Sequence, residues 1–225
     1  MANGNTPETS GTRTASLTAM NTLTGQQIAD EGLTGWALLL GGLHTRIHTG
    51  DFAAGAAVVG AIAATGHSPD VHLRRDHVDV RLTSDGKVTA REVELARTIT
   101  SIAGDTGLTL DSASVSRLEL ALDTPDQEAV RPFWAAVLGM TPSKDEIRDP
   151  ADGLPVVWFQ ASGDEEPRQR WHPDLWVEPA QVRPRIDAAI AAGGTLVSDA
   201  EAPSFWVLAD PEGNRVCLCT WQERG

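Results

Sequence analysis

The sequence predicts an α+β protein built in two parts, and three observations carry that prediction. Short runs with period-two alternation, such as Val78 to Leu82, sit between longer segments whose apolar residues recur at helical spacing. The second half repeats itself: Val130-Arg131-Pro132 and Val182-Arg183-Pro184 each follow a strand-like run and open an Ala-rich stretch that ends at glycine. Composition is the third observation. Of 225 residues 41% are hydrophobic, yet Tyr is absent, aromatics reach only 5%, and Ala and Gly supply much of the apolar count. Small side chains make thin cores, which suit two small domains or an oligomer better than one large core.

The elements follow in order. Residues 1–22 are rich in Thr, Ser, Asn and Gly without apolar periodicity, and read as a disordered tail. A short helix is expected around Gln26 to Glu31. Trp36–Leu40 and Leu43–His48 read as strands joined at Gly41-Gly42. In the second, His44, Arg46 and His48 alternate with Thr45, Ile47 and Thr49, so one face is polar. Asp51 is placed to cap a helix from Phe52 to about Thr65, with Phe52, Ala56, Val59 and Ala63 as its expected buried stripe and Gly66 as its stop. Val71–Leu73 and Val78–Leu82 are strands. Thr89-Ala90-Arg91-Glu92 has the form of a capping box, starting a helix to about Ala103 with Val93, Ala96, Ile99 and Ala103 inward. The first domain is thus 23–104, and the next ten residues read as a linker, 105–114.

The second domain, 115–225, carries the repeat. Leu118–Leu122 and Leu175–Val177 are its leading strands, each followed by the Arg-Pro helix. Strands are also expected at Val156–Gln160, Thr195–Val197, Phe205–Leu208 and Arg215–Thr220. Proline is awkward inside a helix, so Pro132 and Pro184 are expected near the first turn.

Charge narrows the functions. The chain carries a formal −13 and lacks a basic patch, so it gains nothing from releasing counterions on nucleic acid, and no nucleic-acid partner is expected. The uncharged stretch from Phe52 to Pro69 is mostly Ala and Gly and ends in polar residues, so no membrane span is expected. Without a basic start followed by an apolar run, a cytoplasmic location is the expectation, with Cys217 and Cys219 as free thiols.

One local arrangement invites proton chemistry. His67 follows a helix end and is pinned by Pro69, and an imidazole titrates near neutrality. Trp36, the Asp51-Phe52 helix start, His67-Ser68-Pro69-Asp70-Val71, the Val78–Leu82 strand and Leu95-Ala96 succeed one another at intervals that resemble those of the pterin-4a-carbinolamine dehydratases, over about residues 24–104. The resemblance implies a four-stranded antiparallel sheet with helices on one face, assembly into homo-oligomers, and removal of water from 4a-hydroxytetrahydropterin with no metal or cofactor. It carries the first family histidine onto His67 and the proline onto Pro69. Ser68 stands where a second histidine is usual, and Asp85, in Thr83-Ser84-Asp85, where a third is usual. His67 and Asp85 are then the expected acid–base pair, with Ser68 and Pro69 against a pterin-like ligand. His72 and His77 lie on neighbouring strands. A ligand-binding domain without turnover is the alternative.

The second half is similar to the glyoxalase/bleomycin-resistance/dioxygenase (vicinal oxygen chelate) superfamily. The residues that carry this are the repeat, Phe133-Trp134-Ala135-Ala136-Val137-Leu138-Gly139, and Leu208-Ala209-Asp210-Pro211-Glu212-Gly213-Asn214. The resemblance implies paired βαβββ modules around a cavity. Its metal positions fall on Glu119, a residue near Phe159-Gln160, His172 and Cys217. Cys217 stands where glutamate is usual. The expectation is therefore a soft, zinc-like divalent site from Glu119, His172 and Cys217, or no metal at all. Metal-dependent lyase or dioxygenase chemistry is the corresponding third function. Trp158, Trp171, Trp176 and Trp206 are expected in the core or the cavity wall.

Overall fold

The computed structural model describes residues 21–162, 171–209, 213 and 215–224. The tail up to Met20 and most of the Asp210–Asn214 turn lie outside the described residues. Gly213 is described, with a φ of +89°.

The first domain begins with helix α1 (Gly25–Asp30), closed by a capping box between Thr24 and Gln27. Strands β1 (Ala37–Leu39) and β2 (Gly42–His48) form a hairpin. Helix α2 (Phe52–Ala64) starts at Asp51, whose side chain accepts from the Ala54 N–H. Strands β3 (Asp70–Leu73) and β4 (His77–Leu82) form a second hairpin, and helix α3 (Ala90–Asp105) follows with the Thr89–Glu92 box in place. The residues expected to link the domains do more than that. Strand β5 (Thr109–Asp111) pairs with β2 alongside β1, so the sheet has five strands, with order β1-β2-β4-β3 and β5 on the β1 edge. The alternation Leu108-Thr109-Leu110-Asp111 is too short to stand out from the Gly-, Ser- and Thr-rich stretch around it. Leu110 holds the strand in place, packed against Gly35 and the core.

The inward stripe of α3 is the one its spacing predicts, since Val93, Ala96, Ile99 and Ala103 are all buried. That of α2 is different. Gly55, Val58 and Ile62 face the sheet, whereas Phe52 is 57% exposed and Ala56 and Ala63 are exposed. The reason is close approach: a Cβ on Gly55 would stand 2.6 Å from Leu73 Cδ1. The glycine lets the helix seat against β3, and that contact sets the helix rotation. Leu43, Ile47, Val78, Val80 and Leu82 complete this core.

The second domain is one eight-stranded mixed sheet made of two similar modules. The first is β6 (Arg117–Thr124), α4 (Gln127–Leu138), β7 (Thr141–Pro142), β8 (Glu146–Arg148) and β9 (Val156–Ala161). The second is β10 (Trp171–Trp176), α5 (Pro179–Ala191), β11 (Thr195–Ser198), β12 (Phe205–Ala209) and β13 (Arg215–Cys219). The order β11-β12-β13-β10-β6-β9-β8-β7 joins the modules through their leading strands, β10 and β6, which run antiparallel. In each module the leading and last strands pair in parallel, β6 with β9 and β10 with β13. Pro132 and Pro184 lie inside their helices, each at the sixth residue rather than in the first turn. Each therefore withholds one hydrogen bond, from the carbonyls of Glu128 and Ala180 respectively.

Helices and sheets stack as four layers. α4 and α5 cover one face of the second sheet through Leu122, Val157, Phe159 and Ile147 in one cluster and Val182, Ile186, Leu208 and Leu218 in another. The opposite faces of the two sheets meet, where Ala37 and Leu39 of β1 pack with Val115, Trp176 and Cys219. No helix of the described residues is long and apolar enough to cross a membrane.

Candidate functional site

The helix-free face of the second sheet collects the chemistry. The strand register places Glu119 of β6 opposite Asp174 of β10, and Asp174 opposite Cys217 of β13. Directly paired residues point to one face, so these three side chains form a row. Two residues back on β10, His172 shares that face. A nitrogen of His172, an oxygen of Asp174 and the sulfur of Cys217 all lie within 4.8 Å of one another. His172 Nε2 is 3.5 Å from Asp174 Oδ1 and His172 Nδ1 is 3.9 Å from Asp123 Oδ1. The Trp158 ring stands edge-on to the His172 ring at 5.9 Å.

Indole groups hold the carboxylates. Trp158 Nε1 donates to Asp174 Oδ2 at 3.2 Å, and Trp176 Nε1 donates to Glu119 Oε2 at 2.5 Å. Asp174 Oδ1 is buried and accepts no hydrogen bond. Burial pushes the Asp174 carboxyl above the usual carboxylate range, against the opposing pull of His172. Burial also raises Glu119, with the Asp174 charge adding to it and the Trp176 hydrogen bond opposing. The Cys217 thiol is pushed up to about 12 by burial and then by Asp174, to which it is hydrogen bonded. Cys219, deeper on the same strand, is raised by burial as well.

The structure therefore brings His172 and Cys217 together, with Asp174 between β6 and β13 as the residue that sequence reasoning missed. Glu119 stands beside Asp174 but is taken up by Trp176. The signal for Asp174 lay in the period-two run His172-Pro173-Asp174, which puts His172 and Asp174 on one face. The cross-strand register, invisible in one sequence, selects Asp174 as the direct neighbour of Glu119 and Cys217. Trp158 and Trp176 line the polar face, while Trp171 packs edge-on to Trp134 at 5.1 Å and Trp206 joins the helix-side core.

The first domain's candidates are arranged differently. His67 follows α2, with Nδ1 3.2 Å from Thr65 Oγ1, and is half-buried. Ser68 is exposed and Pro69 half-buried. Asp85 and Gly86 are the two central residues of the turn between Ser84 and Lys87, with φ of +51° and +73°. That is the conformation an Asp-Gly pair supplies to a two-residue hairpin, and it accounts for the aspartate at this position. Both segments lie at one end of β3 and β4, because Asp70 pairs with Arg81. Among the described residues no hydrogen bond or ion pair joins His67 to Asp85. Ser84 Oγ instead donates to Glu92 Oε1 at 2.8 Å, and the Thr89 N–H and hydroxyl donate to Glu92 Oε2. His77 lies by Asp76 at 2.8 Å, and His72 is exposed on the β3 edge.

Residues 119–219 match the model of the glyoxalase-like domain. The second half of this chain carries a glyoxalase-like domain. The match begins at Glu119 and ends at Cys219, so the whole polar row of the glyoxalase-like domain lies inside it. Among solved structures, a transcriptional coactivator/pterin dehydratase from Brucella melitensis is 23% identical, covering 37% of this chain and 100% of that one, with a TM-score of 0.36. A glyoxalase/bleomycin resistance protein/dioxygenase superfamily member from Vibrio splendidus 12B01 is 15% identical over 47% of this chain and 99% of that one, with a TM-score of 0.34. A glyoxalase/bleomycin resistance protein from Albidiferax ferrireducens T118 is 21% identical over 44% and 93%, with a TM-score of 0.21. Comparison with curated proteins gives no match.

Proposed function

We propose that the glyoxalase-like domain binds a small organic molecule on its polar face and holds a divalent metal ion there through His172, Asp174 and Cys217. The observation that carries this reading is Asp174 Oδ1, a buried carboxylate oxygen without a hydrogen bond, 3.5 Å from His172 Nε2 in a cluster that also holds the Cys217 sulfur. Ligand atoms of a tetrahedral zinc site stand about 3.3–3.8 Å from one another, so a 4.8 Å cluster closes onto an ion by small rotations. Nitrogen, oxygen and sulfur donors together favour a borderline ion such as Zn²⁺ over Mg²⁺ or Ca²⁺. An ion held by these three residues would supply Lewis-acid polarisation to an oxygen of the bound molecule. The chain's own part is clear in outline. Trp158 fixes the Asp174 carboxylate from behind. Glu119, raised by burial, holds a proton beside the site at a higher pH than an exposed glutamate and can pass it to a bound molecule.

Elemental analysis of protein purified without chelators tests this. One equivalent of zinc-class metal, lost in Asp174→Ala and Cys217→Ser, is the expected result. Cobalt loading adds a thiolate-to-metal absorption band that disappears in Cys217→Ser. Protein that contains no metal and takes up neither Zn²⁺ nor Co²⁺ on titration overturns the metal reading.

A second reading concerns the first domain: dehydration or binding of a pterin-like molecule, with His67 as the proton-transfer group. It is favoured by the anchoring of His67 Nδ1 at Thr65, which leaves Nε2 for a ligand, at the end of the sheet where Ser84 and Glu92 meet. Adding 4a-hydroxytetrahydropterin and following quinonoid dihydropterin formation measures it. Turnover at the background rate, or turnover unchanged in His67→Ala, removes the catalytic form of this reading.

A further inference from the structure

The segment that follows β13 folds back beside the polar row. Trp221 is seated against α1 of the first domain, where a Cβ on Gly25 would stand 2.5 Å from its Cε3. The Gln222 N–H donates to Thr220 Oγ1 at 3.2 Å, and Glu223 turns the chain with a φ of +52°. These contacts carry Arg224 onto the aromatic part of the sheet face. Its guanidinium carbon lies 4.4 Å from the centroid of the Trp176 ring and 6.0 Å from that of Phe205. Trp176 and Phe205 both pair with Cys219, one row along from Asp174 and Cys217. Residues two apart on a strand share a face, so Arg224 stands on the side of the sheet that holds the His172 cluster, and the two rows are about 7 Å apart.

The charge of Arg224 is not spent on a neighbour. Among the described residues no carboxylate forms an ion pair with it, and its hydrogen bond is a long one, from Nη2 to the Ser204 carbonyl at 3.4 Å. Stacking on Trp176 uses the flat face of the guanidinium and leaves N–H donors in its plane. Arg224 is exposed, and His172 and Cys217 are only half-buried, so a molecule from solvent can meet both regions. The charge also reaches the row itself, where it draws Asp174 and the Cys217 thiol down against the burial that raises them.

We infer that the molecule bound at this row is a small hydroxy or oxo carboxylic acid, with its carboxylate paired to Arg224 and its neutral oxygen turned to the metal ion. The inference rests on the metal reading above. The charges select the class. A zinc-class ion held by the Asp174 carboxylate and the Cys217 thiolate sums to zero, burial favours the neutral form of Glu119, and Arg224 leaves one positive charge over. A monoanion balances that charge. A cation meets the guanidinium and the ion together, and an uncharged molecule leaves the guanidinium unanswered. A carboxylate also matches the two-pronged edge of a guanidinium. The spacing of about 7 Å between the rows limits the chain to a few carbons.

Calorimetric titration of the zinc-loaded full chain with glycolate, 3-hydroxypropanoate and 4-hydroxybutanoate, each beside its amide, tests the inference. At least one acid of the series is expected to bind about tenfold or more tightly than its amide. Arg224→Gln removes that preference while the zinc content, read beforehand by elemental analysis, stays at the wild-type level. Arg224→Lys keeps the charge over the Trp176 ring and recovers most of the binding. The inference is overturned if no acid binds more tightly than its amide, or if Arg224→Gln binds the acids as well as wild type does. Wild-type protein that takes up no zinc overturns the metal reading and this one with it. Zinc uptake is measured before any acid is added, which separates the two failures.

Discussion

The layer between the two sheets contains two polar regions of opposite character. Around His44 the arginines outnumber unengaged acids, and each carboxylate is already answered by a guanidinium. Around Asp174 the acids and thiols are grouped, and the hydrogen bonds that hold the carboxylates come from neutral indoles. Burial acts on both, with opposite consequences. It keeps His44 uncharged by lowering its pKa, and it favours protonated Glu119, Asp174 and Cys217 by raising theirs. Near Asp174 the counter-charges, Arg224 and Arg148, act on the carboxylates from a distance, whereas near His44 Asp79 and Asp152 are paired directly with arginines. The same fold thus sets two unlike polar environments a few strands apart.

The largest test of this contrast is its pH dependence. The folded pKa of His44 is lowered from 6.5 to about 3, so the unfolded chain binds the proton more readily in that window. His44 therefore removes stability as pH falls from 6.5 toward 3, by at most about 5 kcal/mol at about 1.4 kcal/mol per unit. Urea denaturation of wild type and His44→Phe across that range is expected to show a flatter acid limb in the variant. Identical limbs would mean that His44 titrates freely.

Removing the central acid of the other region comes next. Asp174→Ala is expected to weaken Zn²⁺ binding at least about 100-fold, read by competition with a chromophoric chelator. Equal zinc affinity in wild type and variant would dissolve the difference between the regions.

Asp152→Ala leaves Arg81 and Arg117 facing each other without a carboxylate. A loss of about 2 kcal/mol in urea denaturation is expected, below the cost of breaking a fully buried pair because these side chains retain some solvent contact.

The smallest effect concerns Glu119 in metal-free protein. Its raised folded pKa means that its contribution is fully present below the unfolded pKa and is lost as pH rises through the folded value. Glu119→Gln keeps an acceptor for Trp176 and carries no charge. It is expected to raise Tm slightly at pH 7 and to bring no gain at pH 4. A gain that is equal at both pH values would assign the effect to packing instead.

Much of the fold was legible along the chain. The caps at Asp51 and Thr89, the stop at Gly66, the alternation of Val78–Leu82 and the duplicated strand–helix unit all rest on neighbours within a few residues, and each is where its local chemistry puts it. The misses share a cause. The rotation of α2 was decided by Leu73 meeting Gly55 from another element. β5 exists because β2 has a free edge beside β1. Pro132 and Pro184 lie a turn deeper than expected, because the helices begin before the Arg-Pro pair at Asp126 and Pro179. Of the site, Glu119, His172 and Cys217 could be named from family spacing, but Asp174 and His44 could not. His44 read as one polar residue on a polar strand face, and only the second domain lying over it made it buried.

Sequence alone therefore determined which segments become helix or strand, that the second half is duplicated, and which residue types stand at the strand positions of that duplicate. Those are local properties, set by backbone propensity, capping and periodicity within a few residues. Tertiary structure alone decided which strands became neighbours, which side chains lost their water, and which of the buried ones kept a partner. Cross-strand register and the meeting of two sheet faces are long-range, and burial is a property of everything that surrounds a residue. For that reason the acid–base character of His44, Asp174 and Cys217 became visible only in the folded chain.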